Sequence, residues 1–394
     1  MSINEKSYEL GSKRSVIREL FEYGKKRKAE IGADKVFDFS LGNPSVNPPK
    51  MVGETLKSLL SDENPTALHG YTSAQGDLQT RQAVAKSLNK LCDFEIPTDL
   101  IYMTCGAAAS LTISLKAIVN EGDEVIVFAP FFTEYRVFIE NAGAKIVISE
   151  PDESDFQIDF ENLINKITPK TKAVIINSPN NPSGVVYTEK TIAELSDILR
   201  RKSKETGNTI FLISDEPYRE LVYSGEKLPF VMNYYDNSIV CYSYSKSLSL
   251  PGERIGYIAV SPKTDEKGLY NAVCGAGRSL GFVCAPSMFQ KLIAKCAELT
   301  VDTKTYKENR DILYDNLCSF GYKCVKPDGA FYLLVNCFGD DAYSFCEKAK
   351  KRELLLVPCD DFGIKGYVRI AYCVSRKTIV DSLPAFKDLA KEYI

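Results

Sequence analysis

Ser243-Tyr244-Ser245-Lys246, with Leu250-Pro251-Gly252-Glu253-Arg254-Ile255-Gly256 a few residues on, closes the apolar run Ile239-Val240-Cys241-Tyr242. That run reads as a strand, so Lys246 stands at a strand end, where an ammonium is costly to bury. A lysine so placed is either paired or held neutral, and a neutral lysine is a nucleophile that forms a Schiff base with an aldehyde. Neighbouring hydroxyls and the Arg254 guanidinium are groups that grip a phosphate. Taken by itself, Lys246 reads equally well as a solvated lysine among 49 Lys and Arg.

Three runs upstream decide between these readings. Asn180-Asn181-Pro182-Ser183-Gly184 follows the strand-like Ala173-Val174-Ile175-Ile176, and its Asn-Pro and Ser-Gly pairs form turns whatever their chemistry. Ile210-Phe211-Leu212-Ile213-Ser214-Asp215-Glu216-Pro217-Tyr218 is too short for a helix and ends in a carboxylate and a phenol. A carboxylate at a strand's carboxyl end lies where open α/β sheets bind ligands, and when buried it needs a cation or a hydrogen-bond donor. A structural salt bridge is the plainer alternative. Tyr102-Met103-Thr104-Cys105-Gly106-Ala107-Ala108-Ala109-Ser110-Leu111 leads into a helical pattern at Leu111, Leu115, Ile118 and Val119. Small residues at a helix start leave N–H groups open to a phosphate, supported by the helix dipole, although alanine-rich starts also simply make good helices.

In this order, from about residue 102 to 257, the motifs resemble the cofactor site of the class I/II (fold-type I) pyridoxal-phosphate-dependent aminotransferases. The resemblance implies pyridoxal 5'-phosphate held as a Schiff base on Lys246. It implies that Asp215 pairs with the protonated ring nitrogen and keeps the ring an electron sink, while Asn181 and Tyr218 reach the ring oxygen. Gly106, the amides of Ala107 and Ala108, Ser243 and Arg254 would hold the phosphate. Phe132, in Pro130-Phe131-Phe132, would stack on the ring, or else pack in the core. The family's loop Asn-Pro-x-Asn-Pro-Thr-Gly is departed from at Ser178 and Ser183, neither of them the cofactor-facing Asn181, and it implies a cis Asn181–Pro182 bond.

Further pieces extend the match. Leu41-Gly42-Asn43-Pro44 resembles the segment lining the substrate pocket, and Gly329-Ala330-Phe331-Tyr332 the small-domain wall. His69-Gly70-Tyr71 resembles the segment whose tyrosine reaches a neighbouring subunit's phosphate, which implies a homodimer with shared sites. Tyr367-Val368-Arg369-Ile370-Ala371 resembles the strand whose arginine takes the substrate α-carboxylate, a geometrically selective pair. The alternative for Arg369 is a surface arginine on an edge strand. Ala108 stands where some aspartate-using relatives place a lysine. Arg278, eight residues before Pro286, is a candidate reader of a second carboxylate across subunits, or else an interface or solvent-facing residue.

The activity implied is transfer of an amino group from an L-amino acid to a 2-oxo acid, with Lys246 as the proton carrier. A C–S β-lyase or another α,β-eliminating enzyme of the same fold would keep nearly all of these residues. A regulator with an aminotransferase-like sensor is disfavoured, since the roughly 35 residues before Phe37 are too few for a winged helix and linker.

Composition agrees with an ordinary soluble globular protein: 394 residues, 44% hydrophobic and 26% charged. A net charge of −3 argues against a nucleic-acid surface. No apolar run has membrane-spanning length and the start Met1-Ser2-Ile3-Asn4-Glu5-Lys6 is too polar for a signal peptide, so the cytoplasm is expected. The twelve cysteines include no Cys-x-x-Cys pair, and with His69 the single histidine, neither a histidine-built zinc site nor a Ser-His-Asp triad is expected. No metal is expected. Two look-alikes are set aside. Gly275-Ala276-Gly277-Arg278-Ser279-Leu280-Gly281 lacks a leading strand, and Asp361-Phe362-Gly363 lacks the other kinase motifs.

Strand-like runs, Arg254-Ile255-Gly256-Tyr257-Ile258 the last of them, alternate with helical stretches from about 100 to 260, implying a large mixed-sheet α/β domain, expected over 45–285. After about 286 the pattern turns to long charged helices, Asp302 to Ser319 and Asp340 to Arg352, with short strands near Phe331–Val335 and Val368–Ala371. By resemblance, residues 1–44 and 286–394 form a smaller α/β domain.

Overall fold

The computed structural model describes residues 2–12, 15–62, 64–225 and 227–394; Met1, Lys13, Arg14, Glu63 and Glu226 lie outside the described residues. Its centre is a seven-stranded sheet. The strands are β2 (Ile101–Thr104), β3 (Glu124–Phe128), β4 (Lys145–Ser149), β5 (Thr171–Asn177), β6 (Phe211–Asp215), β7 (Ser238–Ser243) and β8 (Gly256–Val260), following a short β1 (Phe37–Asp38) near the start of the chain. Their order in space is β2-β8-β7-β6-β5-β3-β4. All run parallel except β8, which is antiparallel to both its neighbours. The inner strands read as continuous apolar runs because helices cover both faces, and β6, β7 and β8 are buried along their whole length.

This topology gathers the motifs. The carboxyl ends of β2, β5, β6 and β7 open on one edge of the sheet. Because β8 runs the other way, its amino end opens there too, with Gly256 opposite both Ser243 and Thr104. The strand expected from Arg254 begins only at Gly256, since Arg254 has a left-handed backbone (φ 50°) that no strand accommodates. Gly256 has no room for a side chain: a Cβ there would collide with the Tyr242 carbonyl and lie 3.0 Å from Gly106 Cα.

The second unit has a four-stranded sheet, ordered β12 (Val357–Pro358), β13 (Tyr367–Ala371), β10 (Tyr332–Asn336) and β9 (Cys324–Val325). Beside it β1 pairs in parallel with β11 (Leu354–Leu355), and the Ala371 amide donates to the Phe39 carbonyl. The amino-terminal segment is thereby tied to the carboxyl-terminal unit. The charged helices are Lys304–Ser319 and Ala342–Lys350. They start inside the expected limits: Asp341 caps the second helix by accepting from the Ser344 amide, and Asp302 precedes the first, one residue outside its N-cap Thr303, and accepts from the Lys304 amide. The helix Ser287–Cys296 buries Leu292, Ile293 and Cys296 against the core under the large sheet. The glycine-rich look-alike lies within the helix Leu269–Ser279 and just beyond it, not in a strand-to-helix loop.

Candidate active site

At the shared sheet edge lies a cavity of about 370 Å³, reaching from the large sheet to β10 and β13. Lys246 enters it from the one-turn helix Tyr244–Ser247, which Ser243 caps by accepting from the Ser245 amide. Lys246 Nζ donates to the Gly42 carbonyl at 2.7 Å and lies 5.3 Å from the centre of the Phe331 ring. Burial lowers its pKa to about 8, helped by the Arg254 and Arg369 charges and opposed by the Cys373 thiol. Near neutrality the amine is still mostly protonated, but about a tenth of it is neutral, far more than for an ordinary lysine. Gly42 has to be glycine: a Cβ would strike the Tyr332 hydroxyl.

Asp215 closes β6 and is 4% exposed. Its Oδ2 accepts from the Tyr135 hydroxyl at 2.6 Å, whereas Oδ1 is buried with no partner among the described residues. Burial raises this carboxyl to about 7, against the Tyr135 hydrogen bond and with a push from Glu216. An orphan carboxylate oxygen in an enclosed site calls for a cationic or N–H partner. A protonated pyridine nitrogen is such a partner, so the residues present fit the implied cofactor on this point. Asn177, at the end of β5, donates to the Asp215 carbonyl at 2.8 Å and accepts from the Asn181 amide at 2.8 Å. It thus ties the Asn181 loop to β6, and the Asn181–Pro182 bond is cis. The Tyr218 and Tyr332 hydroxyls share a hydrogen bond of 3.0 Å.

The opposite end of the cavity fits a phosphate. Gly106 (φ 88°) turns the chain into the helix Ala107–Ile118, whose first N–H groups lack intrahelical acceptors. Ala107, Ala108, Ser243, Ser245 and Arg254 all line this part of the wall. A Cβ on Gly106 would come within 2.8 Å of Arg254 Nη2, so the glycine lets the guanidinium lie against the helix start.

Arg369 is on β13, an inner strand paired with Leu334 on one side and Val357 on the other, and is 2% exposed. The edge-strand alternative is thereby excluded. The guanidinium lies 4.8 Å from the Tyr332 ring centre and 5.3 Å from that of Phe362. Nη1 donates to Asn181 Oδ1 at 3.1 Å and Nη2 to the Ser40 carbonyl at 2.5 Å, while Nε is buried without a partner among the described residues. Of the stretch Asp361-Phe362-Gly363 that mimics a kinase motif, Phe362 is the residue that packs beside Arg369.

Phe132 lines the cavity, half-buried, with its ring edge-on to Tyr135. Tyr71 is fully exposed and outside this chain's cavity. Arg278 is also exposed and is not brought to the cavity; it borders a separate depression with Gln75, Tyr102, Cys274 and Val283. Sequence reasoning missed Tyr135, Asn177 and Ser245. Ser245 was legible beside Ser243. Tyr135 stands three residues after Phe132, one helical turn on, but its partner lies 80 positions away and nothing local marks it.

The family model for aminotransferase class I and II matches residues 34–383. A probable aspartate aminotransferase of Methanocaldococcus jannaschii is 33% identical over 389 residues, 96% of this chain and 97% of its own. The aspartate aminotransferase of Thermotoga maritima is 31% identical, covering 94% of this chain and 96% of its own. A crystal structure of an amino transferase from Eubacterium rectale superposes with a TM-score of 0.98 at 57% identity, over 100% of this chain and 99% of that one. With sheet order, cavity and motifs in agreement, the chain belongs to the class I and II aminotransferases, fold-type I enzymes that transfer amino groups with pyridoxal phosphate.

Proposed function

We propose that this enzyme moves the amino group of an L-amino acid to a 2-oxo acid, with Lys246 as both the attachment point of pyridoxal phosphate and the proton carrier. The observation that carries the reading is the meeting, in one cavity, of a lysine amine of lowered pKa and a buried Asp215 oxygen that lacks a partner. When bound, pyridoxal phosphate supplies an aldehyde for amine exchange and a ring that withdraws electrons from the substrate α-carbon. Asp215 Oδ1 holds the proton on the ring nitrogen. Asn181 and Tyr218 donate to the ring oxygen, and Phe132 covers a face of the ring. The Ala107 and Ala108 amides, with Ser243, Ser245 and Arg254, hold the phosphate, the helix dipole adding to the fixed charge. Lys246 Nζ, once free and neutral, takes the proton from the substrate α-carbon and returns it on the other side of the exchange. Arg369, with its unpartnered Nε, orients the substrate α-carboxylate, and Gly42 leaves room for it.

We further propose a homodimer, because Tyr71 and Arg278 are exposed outside their own chain's cavity and would serve a second copy. Lys246, Arg254 and Arg369 are the only cationic side chains of the described residues that line the cavity, and each has a task in this scheme. For a second substrate carboxylate, Arg278 of a neighbouring subunit is the proposed cation. The cytoplasm is the proposed compartment, in keeping with twelve free thiols. Among the described residues no helix is long and apolar enough to cross a membrane. The test is a panel of L-amino acids against 2-oxoglutarate, pyruvate and oxaloacetate. A new amino acid formed in equal amount to the 2-oxo acid released supports the reading; ammonia release with no need for an acceptor would refute it.

A further inference from the structure

We propose that Tyr135 is a positioning residue of the amino-transfer site, its hydroxyl fixing one oxygen of Asp215 so that the other is presented to the cofactor's ring nitrogen. The inference rests on the reading of Asp215 given above. Tyr135 is 1% exposed, in the first turn of the helix Glu134–Ala142, and does not line the cavity. It acts from behind the carboxylate. Its hydroxyl donates to Asp215 Oδ2 at 2.6 Å, and no other side chain of the described residues bonds either carboxylate oxygen. A carboxyl held at one oxygen cannot rotate to trade its two oxygens, so Oδ1 becomes a single oriented acceptor.

The surroundings leave this task to Tyr135. The ionisable groups facing Asp215 are Tyr135 from its helix, Tyr218 and Glu216 from the turn after β6, and Cys241 from β7. Burial raises both the Tyr218 hydroxyl and the Cys241 thiol, which stay protonated near neutrality. Glu216 is engaged elsewhere, accepting from the Ser214 hydroxyl at 2.7 Å and from Arg219 Nε at 2.5 Å. Tyr135 is thus the one donor that stabilises the ionised Asp215 before a cofactor arrives. Phe132 packs edge-on against the Tyr135 ring, at 5.6 Å and 90°, so one helix start carries both the ring-covering aromatic and the carboxylate's anchor.

Tyr135→Phe keeps that ring packing and removes the hydroxyl alone. Cofactor-free protein is reconstituted with pyridoxal phosphate, and the dissociation constant and the pH titration of visible absorbance are measured for wild type, Tyr135→Phe, Asp215→Asn and the double variant. The expected result is a dissociation constant raised roughly tenfold by Tyr135→Phe, the equivalent of one hydrogen bond to a charged group, together with a displaced titration. Turnover falls while the amino-acid KM stays within about twofold, since Tyr135 does not touch the cavity. In the Asp215→Asn background the hydroxyl's removal changes little. Unchanged binding and titration in Tyr135→Phe, with a large loss in Asp215→Asn, would overturn the inference and leave Asp215 in place. Equal losses in both backgrounds would also overturn it, marking Tyr135 as merely structural. A silent Asp215→Asn would remove the reading of Asp215 itself.

Discussion

Arg369 shows how a residue's surroundings define its task. Its fork makes two hydrogen bonds, one to Asn181 and one to a backbone carbonyl, and keeps an unpartnered Nε between two aromatic rings. Arg369→Ala should reduce kcat/KM for every amino acid by the equivalent of about 2–5 kcal/mol; unchanged values across the panel would remove its carboxylate role. Asp215 yields a pH prediction. Its folded value of about 7 exceeds the ordinary 3.8, so the carboxyl's contribution to stability is fully present below about pH 4 and is lost as pH rises through 7. In cofactor-free protein, Asp215→Asn should therefore gain on wild type between pH 5 and 8, by roughly 2–3 kcal/mol. Thermal or urea unfolding at both pH values measures this, and a constant difference between the two proteins would contradict it. Cavity residues at or just beyond a strand end, such as Asp215 and Lys246, were legible because polar groups closing apolar runs are conspicuous. Tyr135 and Asn177 were not, since each is defined by a partner across the fold.

At the scale of elements, apolar runs and turn residues marked the strands well, and the differences came from backbone geometry. Arg254 is held in a left-handed turn before β8 rather than in the strand, and Asp341 caps its helix from just outside it. The turn after β6 is secured from behind by a buried pair that sequence alone did not suggest. Arg219 bonds Glu216 and the Tyr257 hydroxyl and lies 4.9 Å from the Tyr242 ring centre. This joins β6, β7 and β8 directly beneath the cofactor edge. Arg219→Ala would leave Glu216 buried without its cation, at a cost of about 3–5 kcal/mol. A melting temperature equal to wild type would show that the pair is not needed there.

At the scale of the molecule, β8, the one antiparallel strand of the large sheet, brings Arg254 to the same edge as four strand ends, and the carboxyl-terminal unit closes the cavity with Tyr332 and Arg369. The fold class was legible from alternating runs. The packing of Ser287–Cys296 was not, because an amphipathic helix does not reveal which core it covers. On that packing we propose that the large unit extends to Cys296 rather than ending at 285. The proposed homodimer predicts a particle of twice the chain mass by light scattering at assay concentration, and a fully active monomer would refute it. The central claim, that Lys246 carries the cofactor and the proton, is tested most directly by reducing the cofactor-loaded protein with borohydride and mapping the modified peptide by mass spectrometry. The account predicts pyridoxyl phosphate on Lys246, with Lys246→Ala showing neither label nor appreciable turnover. Label on another lysine, or full turnover in Lys246→Ala, would contradict it.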